Sequence, residues 1–164
     1  MAPANRKLRA VHIAMTAAAW GVLLASLIHL AFIWGSLDET LGVHFDSEGE
    51  FDVFASKCFI AYPYAVGFGA LLLCGAADFV IRKIKVSSKL DETGTELARG
   101  ALYIHIDVIK LTLSVFWAYW AHCVKVQHKL DTLVPNVGCY LLMANLMVFI
   151  IAYNIIKKRH KIKA

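Results

Sequence analysis

Four long apolar stretches constrain the fold of this chain more than any other feature. They lie near residues 13–37, 58–81, 100–123 and 134–156. Each is long enough for a helix that crosses a bilayer, which takes about 20 residues. Of the 164 residues, 59% are hydrophobic, whereas soluble domains contain roughly 45–50% apolar residues. We therefore predict an all-α membrane protein, a four-helix transmembrane bundle forming one integral membrane domain over residues 1–164.

Lysine and arginine are distributed unevenly around these stretches. Of the 17 basic residues, 13 fall in the N-terminus, the loop between the second and third stretches, and the C-terminus. Lys57, Lys125 and Lys129 fall in the two opposite loops, and Lys110 lies inside the third stretch. Loops rich in Lys and Arg stay in the cytoplasm. We predict a multi-pass plasma-membrane protein in contact with membrane lipid, with cytoplasmic N- and C-termini and no nucleic-acid partner.

The loop between the first two stretches carries the most specific pattern. Across residues 42–54, apolar and polar side chains alternate on both sides of Ser47-Glu48-Gly49-Glu50. Alternation around a glycine-containing turn is typical of a short β-hairpin, which the predicted orientation makes extracellular. The candidate binding residues of this outer hairpin are His44, Asp46, Glu48, Gly49, Glu50, Asp52 and Lys57.

Two interpretations of the acidic hairpin remain open. Period-two spacing puts His44 and Asp46 on one strand face, and Glu50 and Asp52 on a face of the other strand. These four side chains could converge on a hard cation such as calcium, although the EF-hand spacing is not met. Alternatively, the hairpin is solvated and an aspartate bonds the turn backbone. We predict no cofactor and no metal, and keep these four residues as the metal candidates.

An ordered set of residues spans the hairpin and the start of the second helix: His44-Phe45-Asp46, Gly49, Asp52, Ser56-Lys57 and Pro63. This set resembles the signature loop of the SdpI-like bacterial membrane proteins, over roughly residues 15–80. Members of that family often carry prolines where this chain has Leu41-Gly42-Val43. The resemblance implies a polytopic plasma-membrane protein and, as in the family's namesake, immunity to a secreted peptide and signalling to a repressor.

The third stretch carries polar and aromatic residues on one helical face. They recur at steps of three and four residues, as Tyr103, Asp107, Lys110, Ser114 and Trp117. Asp107 and Lys110 can pair within the helix, which lowers the cost of placing each charge in a bilayer. Two hypotheses remain: a polar stripe that serves transport or ligand binding, or an internal ion pair packed between helices.

Two further polar residues lie inside the other stretches. His29 continues a row of small residues at four-residue steps, namely Ala17, Gly21 and Ala25, and such rows let helices approach closely. Asn145 lies midway along the fourth stretch, where it could meet Lys110 or Asp107 across the bundle.

These features favour a binding protein over an enzyme, because the chain shows no nucleophile–base pair, metal constellation or phosphate loop. Our first hypothesis is an SdpI-type immunity or signal-sensing protein that binds an extracellular factor, such as a peptide, through the outer hairpin. Its partners would include a membrane protein or a second copy of the chain. The alternatives are a small oligomeric transporter or channel that uses the polar stripe, and a structural subunit of a membrane complex.

Overall fold

Four helices and one β-hairpin form the part of the chain that the computed structural model describes, residues 3–83 and 89–161, with side chains from Lys7 onward. Short 3-10 turns at Trp34–Ser36 and Lys57–Ile60 flank the hairpin. In chain order the elements are α1 (Pro3–Ile33), β1 (Thr40–Phe45), β2 (Phe51–Ser56), α2 (Ala61–Lys83), α3 (Glu92–Val126) and α4 (Leu133–His160).

All four helices are long and apolar enough to cross a membrane, as the four apolar stretches predict, and this fits a multi-pass membrane protein. Two helices begin well before the apolar limits: α1 ten residues before Ile13 and α3 eight residues before Gly100. At 35 residues, α3 is about 52 Å long, whereas the hydrocarbon core is about 30 Å thick. Its first turns therefore continue beyond the apolar segment.

The helices place the hairpin at one end of the molecule, which we call the hairpin end. The start of α1, the end of α2, the start of α3 and the end of α4 lie at the opposite end, called here the termini end. The basic residues counted above follow this division, except that Lys85 and Lys163 lie outside the described residues and the side chain of Arg6 is not described.

The central helix is α3. Helices α1 and α2 pack on one side of α3 and on each other, and α4 packs on α3. No described residue of α4 is buried. The helices therefore form a three-helix core with a fourth helix outside it, which is a more open arrangement than the predicted four-helix bundle.

Two apolar clusters fill the core. Near the hairpin end, residues of the hairpin, α1, α2 and α3 pack together, among them Leu30, Leu41, Phe45, Tyr64 and Val124. Closer to the middle of the helices, Ala19, Leu23 and Leu71 form a second cluster against Trp117 and Phe68.

At the termini end, α4 is tied back to the start of α3. The carboxylate of Asp91 caps α3, because its Oδ1 accepts the Gly94 N–H at 2.6 Å. The Asp91 N–H donates to the His160 carbonyl at 3.0 Å, and Asp91 Oδ2 lies 3.2 Å from His160 Nδ1. The Gly94 N–H has the largest effect and lowers the pKa of Asp91, desolvation opposes it, and the hydrogen bond and charge of His160 each lower the pKa by a smaller amount.

The predicted hairpin is confirmed as two antiparallel strands that reach two residues further than residues 42–54 at each end. His44 lies opposite Val53, and the register shifts on both sides of His44. A strand with such irregularities bends and turns its side chains away from strict alternation. Phe45 is buried, whereas Val53 and Phe54 are 48% and 62% exposed.

Candidate functional site

A cluster of charged side chains lies buried between α1, α2 and α3. Lys110 Nζ donates to Asp107 Oδ1 at 3.0 Å and to the carboxylate of Asp78. It also donates to Thr16 Oγ1 at 3.1 Å. Asp107 and Lys110 are 0% and 1% exposed. The predicted pairing of Asp107 with Lys110 is confirmed, and the pair belongs to a larger network that joins three helices.

The second carboxylate oxygen of Asp107 extends the network to α1. Asp107 Oδ2 lies 2.8 Å from His12 Nδ1, and Oδ1 accepts the Thr16 hydroxyl at 3.1 Å. His12 also lies against Tyr103, with ring centroids 4.8 Å apart. Thr16 thus accepts from Lys110 and donates to Asp107, which orients both charged groups.

Three members of this network, His12, Thr16 and Asp78, were not among the predicted site residues. Two signals in the sequence point to them. His12 and Thr16 are four residues apart, so they share a face of α1. Asp78 is the only charged residue in the second apolar stretch, and a charged side chain inside a membrane usually forms a pair with another polar group.

The charges in this cluster do not balance with a neutral histidine. Asp78 and Asp107 carry two negative charges against one positive charge on Lys110. An uncompensated buried charge is expensive, and the hydrogen bond that Asp107 accepts from the Thr16 hydroxyl offsets part of this cost.

Among the described residues, His12, Asp78 and Asp107 also bring three potential metal ligands within 4.8 Å of one another. The ammonium group of Lys110 bonds both of these carboxylates. It therefore supplies the positive charge that a metal ion would bring, and the geometry favours an ion-pair network.

Two of the predicted intramembrane residues lie apart from the charged cluster. Ser114 is buried, but its hydroxyl donates to the Lys110 carbonyl at 2.8 Å within α3. Asn145 donates to the His105 carbonyl at 3.0 Å, so its predicted contact with Lys110 or Asp107 is wrong. The reason is that α4 packs on the side of α3 that carries His105, where Phe149 stacks on the His105 ring at 4.8 Å.

His29 lies near the hairpin end rather than in the cluster. It is exposed, and its Nδ1 lies 3.3 Å from Lys125 Nζ. Lys125 is itself only 7% exposed and donates to the Ser26 hydroxyl at 3.2 Å. Lys125 was not among the predicted site residues, because it lies at the edge of the apolar segment.

The small residues that precede His29 do not form a helix contact within the described part of the chain. Ala17, Gly21 and Ala25 are all exposed, and a Cβ added at Gly21 would meet nothing within 4 Å. The α1 face that packs on the other helices is the one with Ala19 and Leu23.

The predicted metal candidates of the hairpin do not converge. His44 Nδ1 lies 2.6 Å from Asp52 Oδ1, whereas Glu50 bonds Lys129 Nζ at 2.7 Å. Asp46 Oδ1 accepts the N–H groups of Glu48 and Glu50 at 2.8 and 3.0 Å. The calcium alternative is therefore wrong for this arrangement, because the irregular register at His44 breaks the shared face. Asp46 instead bonds the turn backbone, as the second interpretation predicts.

The tip of the hairpin is attached to the α3–α4 connection. Gly49 has a positive φ of 83°, and its carbonyl accepts the Leu130 N–H at 2.9 Å. A Cβ at Gly49 would lie 2.1 Å from the Leu130 carbonyl oxygen. Only a glycine allows this close contact with the Leu130 carbonyl oxygen. Beside it, the hydrogen bond from Lys129 to Glu50, with smaller contributions from neighbouring carboxylates, raises the pKa of Lys129.

The base of the hairpin is held by one side chain at the end of α3. Gln127 Oε1 accepts the Gly42 N–H at 2.8 Å, and Gln127 Nε2 donates to the Gly42 carbonyl at 3.3 Å. Lys57 closes the base from the other strand, since its Nζ lies 2.8 Å from Glu39 Oε1. The described contacts thus fix the hairpin at both its tip and its base.

Comparisons with protein-family models, with curated proteins and with solved structures each found no match to this chain. The resemblance to SdpI-like membrane proteins stays a prediction that rests on the hairpin residues.

Proposed function

We propose that this chain is a polytopic plasma-membrane protein of the binding and sensing type, with cytoplasmic termini and an extracellular hairpin. Its role is to bind a basic extracellular peptide or partner protein, as the resemblance to SdpI-like proteins implies, rather than to catalyse a reaction.

The observation that carries this proposal is the way the hairpin is held and what it exposes. Gly49 and Gln127 fix its tip and base to the α3–α4 connection, so a partner meets a preorganised surface, which reduces the entropic cost of binding. That surface presents the His44–Asp52 pair, 58% and 42% exposed, beside the apolar side chains of Val53 and Phe54.

The charge of the hairpin end indicates what kind of partner would bind. Lys57 and Lys129 already pair with Glu39 and Glu50. The other acidic side chains of the hairpin are exposed, and the described contacts give none of them a lysine partner: Asp46, Glu48 and Asp52. A negative surface with two apolar side chains complements a basic peptide that also carries apolar residues, because opposite potentials steer association and set specificity.

The packing around Asp107 and Lys110 also supports binding over conduction by a single chain. Toward the hairpin end, the cluster is covered by the apolar side chains of Leu23, Leu71 and Trp117. Both charged residues are fully buried. A pore along this face would have to pass through close-packed side chains.

The experiment is an affinity purification from native membranes with quantitative mass spectrometry of the captured proteins. The test variant combines Asp52→Asn with Phe54→Ser, which removes one charge and one apolar contact from the exposed surface. The matched control is Asp38→Asn, which removes the same charge outside the hairpin. We expect a basic partner to be recovered with wild type and control and lost with the test variant. Equal recovery with all three proteins would reject the hairpin as the binding surface.

A second candidate function, proton-coupled transport by an oligomer, is favoured by one observation. The side chain of His12 is 19% exposed, whereas its partner Asp107 is 0% exposed. His12 therefore connects the surface to the buried carboxylate, as a proton relay requires. The double variant Asp107→Asn with Lys110→Met would abolish proton flux in proteoliposomes if this function holds. Flux that is absent from wild-type vesicles would reject it.

A further inference from the structure

A cavity of about 430 Å³ opens at the termini end, between the start of α1, the end of α2 and the start of α3. Its size is within the range of roughly 300–1,000 Å³ typical of small-molecule sites. The polar side chains that line it are Arg9, His12, Arg82, Glu96, Arg99 and Tyr103. We call it the arginine-lined cavity.

Three guanidinium groups from three different helices line this one cavity. Arg9 comes from α1, Arg82 from α2 and Arg99 from α3. Among the described lining residues, Glu96 supplies the single carboxylate and forms an ion pair with Arg99. The formal charge of this described lining is therefore +2 with His12 neutral. Gathering like charges around one space is unfavourable unless an anion enters it.

Membrane orientation alone does not explain this arrangement. The positive-inside rule accounts for basic residues near the ends of the spans, but it does not account for their convergence on one cavity. The lysines of the C-terminal part of α4, Lys157 and Lys158, satisfy the same rule and lie outside the cavity. Arginine is the side chain that best matches the oxygens of carboxylates and phosphates, because its planar fork donates two parallel hydrogen bonds.

We propose that the arginine-lined cavity binds a phosphate monoester, whose two negative charges match the charge of the lining. Tyr103 and His12 add neutral polar groups to the wall, and Leu8 and Ile13 add an apolar side for the carbon part of the ligand. The source of the monoester is either a lipid headgroup or a small soluble phosphate. The cavity lies where the apolar segments of α1 and α2 meet their basic ends, the level at which lipid phosphates lie and where basic pockets between helices bind headgroups.

The test measures lipid retention by the purified full-length protein with native mass spectrometry. The probes are phosphatidylcholine nanodiscs that contain phosphatidic acid, a monoester, or phosphatidylserine, a diester, at equal mole fraction. Inorganic phosphate and glycerol phosphate serve as soluble competitors. The test variants are Arg9→Gln and Arg82→Gln, both at exposed positions, and the matched control is the pair Lys157→Gln and Lys158→Gln, also exposed.

We expect wild type and control to retain phosphatidic acid in preference to phosphatidylserine. Each cavity variant should bind it about tenfold more weakly, the effect of losing one charge-assisted hydrogen bond. Displacement by glycerol phosphate at low concentration would identify a soluble ligand, and resistance to it a lipid headgroup. Either result supports the site.

Cavity variants that bind phosphatidic acid like wild type would overturn the proposal, as would a control that loses binding to the same extent. If an arginine variant does not fold, Ile13→Trp replaces it. This change narrows the cavity without removing charge and is likewise expected to weaken retention of phosphatidic acid, so unchanged retention again overturns the proposal.

Discussion

Asp78 on α2 and Lys110 on α3 form an ion pair between two helices that are each long enough to span a bilayer. The lysine is 1% exposed and the aspartate 8% exposed. Lys110 also bonds Asp107 on its own helix. One ammonium group thus bonds two carboxylates and links α2 to α3, so the network behaves as a unit.

Because the network is a unit, removing only its lysine should lower the stability of the protein more than removing all of its charged groups. Lys110→Met leaves two buried carboxylates facing each other, and the loss of one partner from a buried pair costs about 3–5 kcal/mol. The triple variant Asp78→Asn, Asp107→Asn and Lys110→Met removes every charge and should regain most of that stability. Thermal unfolding in detergent measures both.

Lys158→Met is the matched control for this series, since Lys158 is exposed near the end of α4. It should unfold at the wild-type temperature. A triple variant that is less stable than Lys110→Met would show that the hydrogen bonds of the network, rather than its charge balance, stabilise the helix contacts.

Gly49→Ala is expected to release the tip of the hairpin. Gly49 has a positive φ, and the new Cβ would overlap the Leu130 carbonyl oxygen. Strain of this kind typically costs about 1–3 kcal/mol. The measurement is limited proteolysis of the hairpin, which should be faster in the variant. The control, Gly21→Ala, adds a methyl group where nothing lies within 4 Å and should leave the cleavage rate unchanged.

The cap that Asp91 forms on α3 is expected to weaken in acid. The pKa of Asp91 is lowered in the folded protein, mainly because its carboxylate accepts the Gly94 N–H. Its contribution to stability is therefore fully present above the unfolded pKa, about 3.9, and is lost as the pH falls through the lower folded value.

Hydrogen exchange at the Gly94 amide, measured between neutral pH and the acid range and corrected for intrinsic exchange, tests this dependence. Wild type should lose protection in acid. Asp91→Asn keeps a capping oxygen that does not titrate in this range, so its protection should be smaller at neutral pH but constant. Parallel pH profiles for the two proteins would contradict the assignment.

The helices and the polar face of α3 could be predicted because each depends on periodicity within one segment. Apolar length located the four spans, and steps of three and four residues located the face with Asp107 and Lys110. What lies opposite that face depends on how the helices pack. Asn145 was therefore assigned to the wrong side of α3, and His12 was missed because it lies just before the apolar stretch.

In the hairpin too, features within one segment could be predicted, whereas features that depend on pairing between segments could not. Alternation predicted two strands and a turn, and the turn chemistry predicted an aspartate that bonds the backbone, which is Asp46. The irregular register beside His44 depends on pairing between strands, so strict alternation placed His44, Asp52 and Glu50 around a common point that does not exist. The irregular register left Val53 exposed for the same reason.

The Gln127 side chain is expected to hold the base of the hairpin, whereas the neighbouring His128 side chain is not. Gln127→Ala removes the acceptor of the Gly42 N–H and the donor to the Gly42 carbonyl. Gly42 is buried, and an unpaired buried backbone group costs about 1–3 kcal/mol. Hydrogen exchange at the Gly42 amide should therefore be faster in Gln127→Ala, by the factor in rate that corresponds to this free energy. The control, His128→Ala, changes an exposed side chain that bonds only the adjacent Lys129 carbonyl among the described contacts. If the Gly42 amide is equally protected from hydrogen exchange in the two variants, strand pairing rather than Gln127 positions the hairpin on α3.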